Sequence, residues 1–197
     1  MVEQIMWRSS LEEARVEARE QDKDLLVHID NPQRDGCGVM RASTYADPRV
    51  VGFIGAFVVP VEFNLAEDPG AQIRFRTLWT PTVIYLDRDG NEHRRSYGCL
   101  DPARFVAEFT LARGLRFFHT GHFRQAMEVL EEAMELTTIE PALRAENLYW
   151  LGVAHYRVTG NAHDLESHWR TLRHDHPDSP WARKTDFYFQ LENGSEQ

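Results

Sequence analysis

Apolar positions recur along the chain with two different periods, and the switch between them divides it. Ser10-Leu11-Glu12-Glu13 has the spacing of a capping box, in which Ser10 and Glu13 satisfy each other's free amides. Leu11, Ala14 and Ala18 follow at helical intervals, which predicts a helix running to about Gln21. Asp24 to Asp30, DLLVHID, is a short apolar run between polar residues, as in a buried strand. The loop NPQRDG leads into CGVMRASTYA, which has a helical pattern. Asp47-Pro48 supplies an N-cap and a first-turn proline for a helix through RVVGFIGA. FVVPVEF reads as a strand whose Pro60, lacking an N–H, points to a sheet edge or a local irregularity. AEDPGAQIRFRTLW begins with turn chemistry and continues as a helix from Pro69. TVIYLD, DRDGN and EHRRSYG make a hairpin with Asp89-Gly90 at its tip. Asp101-Pro102 opens a helix with Phe105, Val106 and Phe109 on one face and Gly114 near its end. The order α-β-α-β-α-β-β-α predicts a mixed sheet with helices on both faces.

From about Leu115 the strand period disappears. Phe123, Ala126, Met127, Leu130 and Ala133 recur at helical spacing. Pro141 begins a further helix, the turn Thr159-Gly160-Asn161 separates it from AHDLESHWRTLRHDH, and Pro177, Ser179 and Pro180 precede a last helix, WARKTDFYFQLE. Gly114, Phe117, Ala126, Leu130 and Ala133 have the spacing of a tetratricopeptide repeat. Leu148, Leu151 and Gly152 restart the pattern, with Tyr156 one place late and Asp164 where a small residue is usual. Residues 1–114 therefore read as an α/β domain and residues 115–197 as an all-α, tetratricopeptide-like one.

Charge narrows the function classes. The chain has 22 Lys+Arg against 31 Asp+Glu, a formal net charge of −9. That balance argues against a nucleic-acid partner held through phosphates and against a polybasic membrane-surface protein. No apolar run approaches the ~20 residues of a bilayer span. MVEQIMWRSSLEEAR has neither the basic nor the apolar region of a secretory signal. Two cysteines make no disulfide framework. The expected compartment is the cytoplasm. No Walker, Rossmann, serine-hydrolase or kinase signature is found, so no cofactor is expected. His168, His174 and His176 lack zinc-site spacing and read as a solvated helix end, so no metal is expected either.

Residues 1–114 resemble the thioredoxin family. DLLVHID matches the strand leading into the active-site loop, Thr80-Pro81-Thr82 matches the segment whose proline is cis, and Tyr97-Gly98 matches the end of the closing strand. Cys37, Met40, Thr44-Tyr45, Asp47-Pro48 and Val50 match a subfamily pattern that begins at the second motif cysteine. The resemblance implies a three-layer thioredoxin-like fold with a mixed sheet, here followed by the helical domain. It also puts Arg34 at the first position of Cys-x-x-Cys, in Arg34-Asp35-Gly36-Cys37. The family's first cysteine attacks and its second resolves. This chain has the resolver without the attacker and cannot run an ordinary dithiol cycle through the loop. His28 stands where the family usually has a buried acid, which removes the usual carboxylate for proton transfer.

Three readings of the thiols stay open. Cys37 and Cys99 face each other across the site, which needs Cα atoms roughly 4.4–6.8 Å apart. Alternatively Cys37 is a lone reactive or oxidation-sensing thiol, with Arg34 as the electrostatic neighbour favouring its thiolate and burial opposing it. Or both are small buried hydrophobes. In the family, the backbone just before the cis-proline pairs with a bound peptide or glutathione, so Thr80 and Pro81 imply a clamp that needs no cysteine. Trp79 is either a binding aromatic beside that clamp or a core residue. The reading adopted is a peptide- or protein-binding module with atypical or no thiol–disulfide activity, using Arg34, Trp79, Thr80 and Pro81. The alternative is a redox enzyme or sensor using Cys37, alone or with Cys99.

Overall fold

The computed structural model describes residues 4–138 and 140–194. The chain divides into two compact units, residues 1–112 and 113–197.

In the first unit, strand β1 (Asp24–Asp30) is buried along its whole length. It pairs in parallel with β2 (Val58–Asn64) and antiparallel with β3 (Thr82–Leu86), which pairs antiparallel with β4 (Glu92–Tyr97). The sheet order is β2-β1-β3-β4. Pro60 therefore lies on an edge strand, where a missing donor is tolerated. The isolated residue Arg8 bridges the outer side of that edge, donating to Pro60 O at 2.9 Å and accepting from Glu62 N at 2.8 Å.

Alternation along β1 sends Leu25, Val27 and Ile29 to one face and Leu26 and His28 to the other. The first face packs with Ala14 and Ala18 of α1 (Leu11–Glu20) and Ala71 of α4 (Gly70–Arg74). The second packs with Phe53 and Ile54 of α3 (Pro48–Phe57) and with Phe105 and Phe109 of α5 (Pro102–His119). Both faces are thus covered, and the three layers follow. Between them, α2 (Asp35–Val39) runs into a π-helical turn over Met40–Thr44, closed by Tyr45 N donating to Met40 O at 2.9 Å.

Four local expectations need correction. Ser10 does accept from Glu13 N at 3.3 Å, but the return bond of the capping box is not made, so the cap is one-sided. The helix expected from Pro69 stops at Arg74 because Arg76 adopts a left-handed conformation, φ 49°. The helix opened by Pro102 does not end near Gly114 but continues to His119. The last helix is two, α9 (Pro180–Arg183) and α10 (Asp186–Gly194), because the buried Thr185 hydroxyl and N–H both turn back to Ala182 O.

The second unit continues with α6 (Phe123–Leu136), α7 (Pro141–Thr159) and α8 (Ala162–Asp175). Successive helices pack, α6 on α7 and α7 on α8. The repeat glycines mark the tightest approaches. A Cβ on Gly114 would lie 2.7 Å from Leu130 Cδ2, and one on Gly152 would lie 3.0 Å from His168 Cβ. Trp169 stacks on Tyr149 with ring centroids 5.3 Å apart and forms the centre of the unit's core with Leu148 and Leu172. No helix among the described residues is long and apolar enough to cross a membrane.

Candidate functional site

The end of β1 delivers the chain to Asn31, and the loop returns at Arg34 to start α2. Arg34 O accepts from Cys37 N at 3.0 Å and from Gly38 N at 3.3 Å, so Arg34 caps the turn through its backbone. Gly36 lets the loop approach the proline closely. A Cβ on it would stand 3.2 Å from Pro81 Cδ. The Thr80-Pro81 bond is cis, and the loop thus rests directly on the proline.

Cys37 is fully buried, and its sulfur accepts from Asn31 N at 3.4 Å. Burial is the main cause that pushes its pKa up. The Asn31 N–H works against the rise, the nearby Asp30 carboxylate adds to it, and the Thr80 hydroxyl offsets part of it. Burial therefore prevails over any support Arg34 was expected to lend a thiolate. Cys99 is exposed, and its Cβ comes within 4.0 Å of the Cβ position on Gly36. Partial desolvation and Asp101 push its thiol up as well. Both thiols are free.

Beneath the loop lies a polar cluster that the sequence reading missed. His28 is fully buried, and its Nδ1 lies 3.1 Å from Glu62 Oε1. Arg41, on the π-helical turn, donates through Nη2 to the fully buried Asp30 Oδ2 at 2.7 Å and reaches Glu62 Oε1 at 3.0 Å. The expectation that His28 leaves the motif without a carboxylate is thus corrected, because Glu62 on the neighbouring strand and Asp30 on the same strand both supply one. Burial alone would raise the Glu62 carboxyl, but the His28 hydrogen bond and the Arg41 charge outweigh it and hold it below its usual range. Trp7 and Tyr45 enclose His28, with ring centroids at 5.6 and 5.1 Å. Tyr45 is pushed well above its ordinary range by burial first, then by Glu62 and Asp30. The His28 Nε2 and Tyr45 Oη atoms are buried without a hydrogen-bond partner among the described residues. One signal was available: His28 and Asp30 share parity on one strand. Their partner Glu62 needed the β1–β2 register, which pairs His28 with Glu62.

The outer side of the loop is different. The reversal at Arg76 is closed by Thr77 N donating to Gln72 O at 2.9 Å, and it carries the chain outward. Leu78 is 83% exposed and Trp79 68% exposed, so Trp79 is not a core residue. Thr80 is half-buried. Among the described residues its backbone N–H and C=O bond to nothing, since the β1–β3 pairing stops at Thr82 and Gly98 N takes the Pro81 carbonyl at 2.8 Å. Arg34, Trp79 and Thr80 line one cavity of about 300 Å³ together with Asn31, Leu65, Gln72, Thr77 and Leu78. The structure therefore brings Cys37, Thr80 and Pro81 together on the inner side, and Arg34, Trp79 and Thr80 together on the outer side.

Comparison with known families matches residues 11–112 to the thioredoxin-like domain. No curated protein matches the chain. Among solved structures, the chain is similar to a thioredoxin from Thermus thermophilus, with 21% identity and a TM-score of 0.47 over 57% of this chain and 85% of that one. It is also similar to a DsbH oxidoreductase, with 16% identity and a TM-score of 0.46 over 56% and 85% of the two chains. A third is the C-terminal domain of DsbD from Neisseria meningitidis in the oxidised form, with 15% identity and a TM-score of 0.44 over 53% and 97%.

Proposed function

The chain belongs to the thioredoxin-like domain family, and on that premise we propose that it captures an extended polypeptide segment at the Thr80–Pro81 edge without dithiol turnover. One observation carries the reading. Thr80 offers an unpaired backbone donor and acceptor, flanked by two exposed apolar side chains, Leu78 and Trp79. An extended chain answers both features, since main-chain hydrogen bonds supply affinity and side-chain contacts supply selectivity. Covering a tryptophan removes ~200 Å² from water, about 5 kcal/mol of driving force before the costs of association.

The loop chemistry supports the same reading. Position 34 carries an arginine, and the single thiol at position 37 is buried with a raised pKa. A thiol in that state is a poor nucleophile at neutral pH. A single-thiol reaction at Cys37 has less support for the same reason.

The test is selection from a random peptide display library on the full chain, followed by ¹⁵N NMR titration with the selected peptides. Bound peptides are expected to shift the Thr80 and Trp79 amides, and Trp79→Ala is expected to weaken binding at least about tenfold. Selection of no peptide, or binding indifferent to Trp79→Ala, refutes the reading.

A further inference from the structure

We infer that the cavity beside the Thr80 edge is a carboxylate subsite, which selects a glutamate side chain from the extended peptide. The inference rests on the peptide-binding reading and names the chemistry that the same site prefers.

The first support is an unused cation. Arg34 lines the cavity, is exposed, and has no carboxylate partner among the described residues. Arg41, seven residues on, engages two carboxylates at 2.7 and 3.0 Å. A guanidinium left free at the rim of a concave site is available to an incoming carboxylate, which it can bind through two parallel N–H donors.

The second support is the lining. Thr77 stands in the cavity wall with its hydroxyl oxygen covered, so it shapes the space rather than meeting a ligand. Gln72 adds a side-chain amide to the lining.

Shape selects among anions. Leu65 and Trp79 give the cavity an apolar wall suited to the methylene stem of a glutamate, while Arg34 meets its head. At about 300 Å³ the space is at the small end of ligand sites and fits one such side chain with part of its backbone. The overall charge of −9 repels an acidic partner at long range, so the selectivity must come from Arg34 at contact distance.

Fluorescence anisotropy on the full chain tests this with blocked, dye-labelled peptides Ala-Val-X-Val-Ala, where X is Glu, Gln or Lys. The Glu peptide is expected to bind about tenfold tighter than the Gln peptide, as for a charge-assisted hydrogen bond, and the Lys peptide weakest. Arg34→Gln is expected to bring the Glu peptide down to the level of the Gln peptide, and 0.5 M salt to shrink the preference in the unaltered chain. Trp79→Ala is expected to weaken all three. Equal binding of Glu and Gln peptides, or a Glu preference that survives Arg34→Gln, overturns the carboxylate subsite and leaves the edge reading standing. Binding of none of the three overturns both. Arg34 is exposed, so its substitution leaves the core untouched, and circular dichroism of the variant checks this.

Discussion

The two sides of the Cys37 loop treat polar groups in opposite ways. On the inner side, Asp30, Glu62, Arg41 and His28 are tied to one another at 2.7 to 3.1 Å, with His28 against the half-buried Trp7 and the buried Tyr45. On the outer side, the Arg34 side chain and the Thr80 backbone have no hydrogen-bond partner among the described residues, and Leu78 and Trp79 face solvent. The inner side spends its interactions on the fold. The outer side contributes little to stability and keeps its donors free, which is what a binding surface requires. The difference separates what holds the loop from what the proposed binding would use.

The largest effect expected from this contrast is on stability. Arg41→Ala leaves the fully buried Asp30 without its counterion and costs about 3 kcal/mol, a fall in melting temperature of roughly 6–12 °C. Arg34→Ala stays within about 0.5 kcal/mol. Thermal denaturation of the two variants compares them directly, and equal losses would erase the distinction between the two sides.

Next in size is thiol reactivity. With burial raising its pKa, Cys37 is expected to react with iodoacetamide at pH 7 at least about tenfold more slowly in the native chain than after unfolding. The linkage has a definite sign: the folded state prefers the protonated thiol, so this contribution is complete below the unfolded pKa and is lost as pH rises through the folded value. Mass mapping of alkylated Cys37 and Cys99 across pH 6–10 reads both effects. Rapid native labelling of Cys37 near neutrality would move the inner side into the chemistry and revive the single-thiol reading.

Glu62 gives the opposite sign. Its carboxyl is held below its usual range, so its stabilisation is present above the unfolded carboxylate pKa and is lost as pH falls through the folded value. Urea midpoints between pH 7 and pH 3 are expected to fall with acid, and Glu62→Gln is expected to flatten that limb. An unchanged acid limb would mean that the His28–Glu62 contact does not hold the cluster.

The smallest effect sharpens the outer side. Arg76 holds a left-handed conformation that costs an ordinary residue about 1 kcal/mol. Arg76→Gly is therefore expected to raise stability by about 0.5–1 kcal/mol, measured as a shift in the denaturant midpoint at constant slope. A loss would place an unrecognised contact at the turn that presents Leu78 and Trp79.

Much of the fold could be read from local pattern. DLLVHID is a strand over Asp24–Asp30 because its apolar run is bounded by polar residues, and α7 starts at Pro141 because proline needs no donor in a first turn. The breaks were harder. Gly114 looks like a helix end, yet the helix continues, and the glycine answers a different need: Leu130 packs so closely there that a Cβ would displace it. Arg76 carries no glycine signal for the left-handed turn it makes. The candidate site divides the same way: Cys37, Thr80 and Pro81 were visible as a motif, whereas Glu62 and Thr77 were not, because nothing in their own neighbourhoods marks them.

Sequence by itself determined the order of helices and strands, the family resemblance, the arginine at the first motif position and the place of the proline, because caps, periodicity and motif spacing are local properties. Tertiary structure alone decided which side chains meet. Glu62 reaches His28 only through the register of two parallel strands, and a slip of one residue would turn it to the opposite face. Trp79 stands in solvent only because the chain reverses at Arg76 and the sheet pairing stops at Thr82. Such contacts join residues far apart in the chain, and no local pattern encodes a distance between them.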